Sequence, residues 1–258
     1  MPHLSKIRIN PRRRDAIRLL GNPQAMHAAV LAGITEQPVT ERVLWRLETA
    51  DRHQPHLLVL THSKPDWFHL VEQAGWPQGD GEHALVRDYS PLLDRIALGR
   101  EFAFRLTANP VQTTRHPEKL TASQAERASQ TVNGPSGEER PARGYRLAHR
   151  TAAHQLGWLL AKTPRLGFEI PAVRTNRAPH SDEPPAADVL LTARDQLRFR
   201  KGRSDRQVIL STATFEGRLR VTDPTALRAA LLEGIGPAKS YGCGLLTLAP
   251  LPQERSHG

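Results

Sequence analysis

Four short runs rich in apolar residues stand out in the first half of the chain, and two of them alternate strictly between polar and apolar positions. The runs are KIRIN at 6–10, VLWRL at 43–47, LLVLTH at 57–62 and EFAFRLTAN at 101–109. A period of two is typical of strands that bury one face. Helix-like stretches fall from residue 22 and over 65–74, so residues 1–111 predict the order β-α-β-β-α-β of a ferredoxin-like unit.

The first of these helices has a well-marked start. Asn22 is suited to the N-cap position and Pro23 to the first helical position. Gln24 and His27, three residues apart, share one face of the helix. The other face is predicted to pack on a sheet and carries Met26, Ala29, Val30 and Gly33.

The rest of the chain divides into a polar stretch and a second unit of the same kind. Residues 112–143 are rich in Ser, Gly and Glu and have little periodicity, so they predict a linker or mobile loop. Strands are expected at 144–147, 168–173, 189–192, 207–221 (with a turn at 216–217) and 245–249, and helices at 152–161 and 224–234. The predicted class is α+β, with two tandem ferredoxin-like (RRM-like, βαββαβ) domains at 1–111 and 144–258.

Charge points to a polyanionic partner. The formal net charge is +10, and most of the excess is arginine. The planar guanidinium fork of arginine suits phosphates and base edges, which favours nucleic acid over a merely solvated basic surface. A single cysteine, Cys243, indicates a reducing compartment. No stretch approaches the ~20 apolar residues of a membrane span, so we expect a cytoplasmic protein without membrane contact.

A glycine-rich stretch follows the last predicted helix and reads GIGPAKSYGCGLLTLAP at 234–250. It is similar to a nucleotide-binding P-loop, but Ala238 stands where the glycine before the lysine belongs. It also runs from helix to strand, whereas a P-loop runs from strand to helix, which argues against nucleotide hydrolysis. A helix C-cap explains Gly234 alone. The remaining glycines favour a bare loop backbone, with Gly236 at its start and Lys239 at its tip, that lies against a phosphodiester backbone.

Two motifs carry a resemblance to a known family. The glycine-rich stretch and NPQAMH at 22–27 resemble segments of the CasE family, the CRISPR RNA-processing endoribonucleases of type I-E Cascade complexes. KPDW at 64–67, FRLTANPV at 104–111, HQLGWLLAKTPRLGF at 154–168 and TFEGRLRVTDP at 214–224 fit further family segments in the same order. The resemblance implies two tandem ferredoxin-like domains that bind a CRISPR repeat hairpin. It also implies cleavage at the 3′ base of the stem and retention of the product with other Cascade subunits.

The resemblance makes His27 the catalytic histidine. The RNA 2′-hydroxyl attacks the adjacent phosphorus and leaves a 2′,3′-cyclic phosphate, so the protein must move protons and stabilise charge, and we expect no metal and no small-molecule cofactor. The start of the helix disfavours imidazolium, which suits a base. Gln24 replaces the tyrosine that family members often carry, and glutamine cannot transfer protons. Either His27 does more of the chemistry, or Lys239 or Tyr241 assists, or cleavage is weak or absent.

Further residues are expected to hold the RNA. Lys239 is expected to offset transition-state charge, and Gln24, Gly236, Ser240 and Tyr241 to contact the RNA near the cut. Basic side chains are expected on the stem, because A-form RNA is recognised through phosphates and shape. They are Arg143, Arg146, Arg150, Arg198, Arg200, Lys201 and Arg203. The alternatives to a hairpin-specific endoribonuclease are a non-catalytic RNA-hairpin-binding scaffold of Cascade and a protein that binds duplexes by charge alone.

Overall fold

The computed structural model describes residues 1–79, 81–114, 145–173, 186–200 and 207–251. The first unit is a four-stranded antiparallel sheet with three helices on one face. Its elements are β1 (His3–Arg8), α1 (Arg14–Gly21), α2 (Pro23–Leu31), β2 (Leu44–Glu48), β3 (His56–Thr61), α3 (Phe68–Ala74) and β4 (Ala84–Asp88). The strand order β2-β3-β1-β4 is that of a ferredoxin-like fold and confirms the predicted β-α-β-β-α-β pattern.

The second unit is built on a five-stranded sheet. The elements that follow the first unit are α4 (Ser90–Asp94), β5 (Glu101–Ala108), β6 (Val111–Thr114), β7 (Tyr145–Ala148), α5 (Ala152–Leu160), β8 (Phe168–Glu169), β9 (Val189–Arg200), β10 (Gln207–Val221), α6 (Pro224–Glu233) and β11 (Leu246–Ala249). The strand order β11-β5-β10-β8 is again ferredoxin-like, and β9 pairs with the long β10 as an added hairpin.

The strand at 101–109 was assigned to the wrong sheet. Sequence alternation correctly identified it as a strand, but β5 pairs with β10 and β11 and opens the second unit. The fourth strand of the first sheet is instead β4, which pairs with β1. Alternation shows that a strand buries one face without showing which sheet receives it. The domain limits 1–111, 112–143 and 144–258 stay predictions.

Three further expectations were wrong. The strand predicted at 144–147 does not open the second unit, because among the described residues β7 pairs only with β6 and forms a separate two-stranded sheet. Residues 112–114, expected to be linker, belong to β6, while 115–144 lie outside the described residues. The turn predicted at Glu216-Gly217 falls within continuous β10. Gly217 is required there because a side chain would collide with the carbonyl oxygen of Asp188.

The first sheet is buried on both faces, which explains why its central strand reads as a continuous apolar run. Val43 and Trp45 point towards the helices, where they join a core with Met26 and Val30 of α2. Leu44 belongs to the core of the second unit on the other face of the sheet. Alternation along β2 therefore assigns successive residues to the two units.

Arg46 joins the two sheets. It is 2% exposed and forms an ion pair with Glu48 at 2.6 Å. Its guanidinium also donates to the carbonyl of Arg105 in β5 (3.0 Å), the carbonyl of Leu245 (2.8 Å) and the hydroxyl of Thr247 in β11 (2.8 Å). One buried cation thus satisfies acceptors from three strands. Among the described residues, no helix is long and apolar enough to cross a membrane.

Candidate active site

Helix α2 begins where the sequence predicted and carries His27. The Asn22 side chain accepts hydrogen bonds from the backbone N–H groups of Gln24 (3.0 Å) and Ala25 (3.2 Å), which confirms the N-cap. Met26 is fully buried in the first core, so its neighbour His27 is turned towards the helix flank and is half-buried. Gln24 is half-buried too, one turn before it.

His27 is held by a tryptophan of β2. The indole N–H of Trp45 donates a hydrogen bond to Nδ1 of His27, with the two nitrogens 3.3 Å apart. Burial also lowers the pKa of His27 below its ordinary value of 6.5. Both effects favour a neutral imidazole near pH 7, because an indole N–H can bond only to the unprotonated nitrogen.

The glycine-rich loop reaches this helix. The loop leaves α6 at Gly234, forms a single 3-10 turn at Lys239–Tyr241 and enters β11. The turn packs against both α2 and β2. Two segments far apart in the sequence are therefore neighbours, and the site draws on both ferredoxin-like units. A cavity of about 150 Å³ lies at this junction, between Pro23, Leu197 and Tyr241.

The glycines of the loop are explained by the packing of the loop. Gly236 and Gly242 have φ angles of 79° and 81°, in the left-handed region that favours glycine. A Cβ atom would lie 3.0 Å from the ring of Trp158 at Gly236 and 2.7 Å from the ring of Trp45 at Gly242. Ala238 also has a positive φ of 64°, although it carries a Cβ.

Lys239 lies half-buried in this loop, and Ser240 next to it is exposed. Burial lowers the pKa of Lys239, the positive charge of Arg42 lowers it further, and the carboxylate of Glu233 opposes the shift. The stem of the lysine packs close to the backbone of the loop, 3.1 Å from where a Cβ at Gly234 would lie. Its ammonium group therefore has a restricted position near Gly234, within range of the charges of Arg42 and Glu233.

Cys243 belongs to a small buried core, and Tyr241, which is half-buried, packs against it. The ring of Tyr241 lies 4.8 Å from that of Phe199 in β9, which fixes the loop to the long β9–β10 hairpin. Cys243 is fully buried, and burial raises its pKa to about 12. A thiol with such a pKa carries almost no thiolate at neutral pH, so it is not a nucleophile.

Some of the residues predicted to bind the RNA stem lie on the β9–β10 hairpin or near it, and others lie outside the described residues. Arg198 and Arg200 are exposed on one face of β9, as expected, but Leu197 and Phe199, which alternate with them, face the loop. The face of β9 that carries the two arginines is therefore turned away from the glycine-rich loop. Arg150 is exposed before α5, and its carbonyl accepts from Arg194. Arg143, Lys201 and Arg203 lie outside the described residues, and Arg146 lies in β7 with its side chain outside them.

Trp45 is the residue of the site that sequence reasoning missed. The signal was present, because alternation along VLWRL assigns Trp45 to the same face as Val43, towards the predicted helix. Its hydrogen bond to His27 depends on the register of β2 against α2, which no local pattern specifies.

Comparisons with known proteins agree with this arrangement. A family model described as CRISPR associated protein matches residues 2–250. The CRISPR-associated endoribonuclease Cse3 of Thermus thermophilus is 31% identical over 252 residues, which are 96% of this chain and 99% of the relative. The chain belongs to the CasE family of CRISPR-associated proteins.

A second relative and a solved structure of the first support the match. The CRISPR system Cascade subunit CasE of Escherichia coli is 32% identical over 187 residues, 72% of this chain and 77% of that protein. A solved structure of Thermus thermophilus Cse3 bound to an RNA representing a pre-cleavage complex has a TM-score of 0.67 at 29% identity, and the match covers 96% of this chain and 99% of that chain. The resemblance read from the sequence is confirmed, and so is the predicted fold class.

Proposed function

We propose that this protein is a metal-independent endoribonuclease that cleaves precursor CRISPR RNA at the 3′ base of the repeat hairpin. The RNA 2′-hydroxyl attacks the adjacent phosphorus, the bond to the 5′-oxygen breaks, and the products carry a 2′,3′-cyclic phosphate and a 5′-hydroxyl. The protein then keeps the processed RNA as a subunit of Cascade. It does so in the cytoplasm, where its RNA substrate is made and where its one thiol stays reduced.

One observation carries this proposal: the packing of α2, which bears His27, against the turn that bears Lys239. An imidazole and an ammonium group on neighbouring elements suit a phosphate that must be held and whose charge rises in the transition state. The names of the relatives agree, since one is an endoribonuclease and another a Cascade subunit.

We assign the residues as follows within this proposal. His27 contacts the scissile phosphate, and Lys239 offsets the negative charge that develops on its oxygens. Ser240 is exposed beside Lys239 and is available to a phosphate oxygen, and Gln24 lies on the His27 flank of α2. At the margins of the loop, Gly236 offers its backbone to the RNA and Tyr241 offers the edge of its ring. The stem of the RNA lies along the basic residues of the β9–β10 hairpin and along the basic residues near it.

The test uses a hairpin RNA with the repeat sequence of the array that neighbours the coding sequence, with protein in excess and EDTA present. We expect cleavage at one position by the native protein. His27→Ala should slow cleavage by about 10²-fold or more and leave binding intact, because losing one hydrogen-bond donor to the charge that develops in a transition state costs about 10²–10³-fold. His53→Ala, on an exposed turn, is the matched control and should cleave normally.

The second candidate is the non-catalytic scaffold, which the glutamine at position 24 favours. That candidate predicts tight, hairpin-specific binding with no cleavage by the native protein. Equal affinity for a scrambled hairpin would instead support binding by charge alone. Cleavage that stops when EDTA removes metal ions would contradict the proposed reaction.

A further inference from the structure

The hydrogen bond between Trp45 and His27 determines which nitrogen of the imidazole carries the proton. An indole nitrogen can donate a hydrogen bond but cannot accept one. Nδ1 of His27, at 3.3 Å from it, must therefore present its lone pair. In the neutral ring the proton then sits on Nε2, which has no hydrogen-bond partner among the described residues.

Trp45 is itself firmly held. Its side chain is 3% exposed and packs in the core with Met26 and Val30 of α2. On another side the backbone of the glycine-rich loop lies against the ring, since a Cβ at Gly242 would be only 2.7 Å from Cζ3. The indole therefore links the loop to His27, and movement of the ring away from Nδ1 requires the loop or the helix to shift.

The contact also opposes charging of His27. Imidazolium carries a hydrogen on each nitrogen, so its Nδ1–H would face the indole N–H of Trp45 and the hydrogen bond would be lost. A neutral imidazole with its hydrogen on Nε2 can still donate to a phosphate oxygen, and this donation strengthens as negative charge grows on that oxygen.

We propose that Trp45 is a positioning residue that holds His27 neutral with its proton on Nε2, so that His27 faces the RNA as a hydrogen-bond donor. In this role His27 does not transfer a proton: the 2′-hydroxyl loses its proton to water as its oxygen attacks phosphorus, and the departing 5′-oxygen takes a proton from water to become the 5′-hydroxyl. This differs from the role of base expected from the position of His27 in the helix. The role towards RNA rests on the proposed function, whereas the tautomer is a property of the protein alone.

The tautomer is tested without RNA. Long-range ¹H–¹⁵N spectra of uniformly labelled native protein at pH 7.5, with the His27 signals assigned by His27→Gln, report which ring nitrogen is protonated. We expect a protonated Nε2 and an unprotonated, hydrogen-bonded Nδ1. Trp45→Phe should give a mixture of the two tautomers. A native spectrum with the proton on Nδ1, or with both nitrogens protonated, would overturn the proposal before any variant is made.

The matched control is Trp67→Phe. Trp67 is equally buried at 3% exposure, but its indole nitrogen has no hydrogen-bond partner within the described part of the chain. The control removes the same atoms from the same core and should leave the His27 signals unchanged, so a general loosening of the core is distinguished from loss of the Trp45 donor.

The effect on the reaction is measured by single-turnover cleavage of the repeat hairpin. Trp45→Phe should lower the rate about five- to ten-fold, the worth of one hydrogen bond, and change RNA affinity by less than about two-fold. Trp67→Phe should change neither. An unchanged rate in Trp45→Phe with altered His27 signals would overturn the role in cleavage. If the native protein does not cleave RNA at all, the proposed function fails, while the spectra still decide the tautomer.

Discussion

At the scale of single residues, the glycine-rich loop shows how one composition supports two explanations. The sequence suggested that the glycines bare a backbone for phosphate contact. The structure accounts for Gly236 and Gly242 by their positive φ angles and by the tryptophan rings against which they pack. The phosphate-binding role then rests on Lys239 and Ser240, which the sequence had also singled out. His27 could be found only through the family resemblance, since eleven other histidines share its chemistry.

The loop conformation predicts that adding a Cβ atom at one position and removing one at another change the stability of the protein differently. Gly242→Ala should lower the free energy of unfolding by about 2 kcal/mol or more, because the new Cβ strains φ and collides with Trp45. Ala238→Gly should not destabilise the protein and should stabilise it by up to about 1 kcal/mol, because glycine relieves a strained left-handed residue. Urea unfolding measures both, and an equal loss in the two variants would contradict the loop geometry.

At the scale of elements, local signals predicted where an element begins and whether it is a helix or a strand better than they predicted which strands pair. The cap predicted at Asn22 is confirmed, and Asp223 caps α6 in the same way, because side-chain capping is a local interaction. Helix α1 was missed, since RDAIRLLG is short and directly follows a run of arginines. The strand at 101–109 was recognised but placed in the wrong sheet, because an alternating strand is compatible with either sheet and the pairing is decided by contacts distant in sequence.

The β9–β10 hairpin is the element with the clearest charged face, and it supports a prediction about binding. Replacing Arg198 and Arg200 together with alanine should weaken binding to the repeat hairpin and lower the slope of log affinity against log salt concentration by about 1 for each lost phosphate contact. The slope is measured by titration at several salt concentrations.

The control for charge is the double variant Arg87→Ala with Arg95→Ala, which removes one exposed arginine from β4 and one that directly follows α4. It changes the net charge by the same amount and should leave the slope nearly unchanged. Equal losses in the two double variants would contradict a specific role for the hairpin.

At the scale of the whole molecule, two ferredoxin-like units share one site, and Arg46 joins the sheets beneath it. The sequence predicted two such units but not this joint, because a charged residue in a strand looks like a solvent-facing position. The carbonyls and the hydroxyl that Arg46 binds come from β5 and β11, so only the assembled fold reveals its partners.

Removal of this joint should cost a large part of the stability. Arg46→Ala should lower the free energy of unfolding by about 3–5 kcal/mol, because it leaves buried acceptors unpaired and removes one of the two arginines, Arg46 and Arg105, that pair with the buried carboxylate of Glu48. Arg87→Ala breaks an exposed pair with Glu82 at 3.8 Å and should cost less than about 1 kcal/mol. A loss below about 1 kcal/mol in Arg46→Ala would show that the buried network does not stabilise the fold.

Stability should also fall in mild acid. Burial lowers the pKa values of His27, His56 and His149 below 6.5, their value in the unfolded chain. The unfolded chain therefore takes up more protons than the folded protein as pH falls below about 6.5, and the folded state is disfavoured. We expect the Tm to fall by a few degrees between pH 7.5 and pH 5.5.

The variant His56→Gln should show a smaller acid-induced change in Tm than the native protein, because one of the three rings no longer titrates. The surface variant His53→Gln serves as the control. A Tm that rises or stays constant towards pH 5.5 would contradict the burial of these rings.

The measurement that tests the central claim most directly uses a repeat hairpin with a single 2′-deoxy nucleotide on the 5′ side of the cleaved bond. The account predicts that native protein binds this RNA as tightly as the unmodified hairpin but does not cut it. It also predicts that the unmodified RNA yields a 2′,3′-cyclic phosphate, identified by its mass, in the presence of EDTA. Cleavage of the 2′-deoxy substrate at the same bond would require an outside nucleophile and would contradict the account.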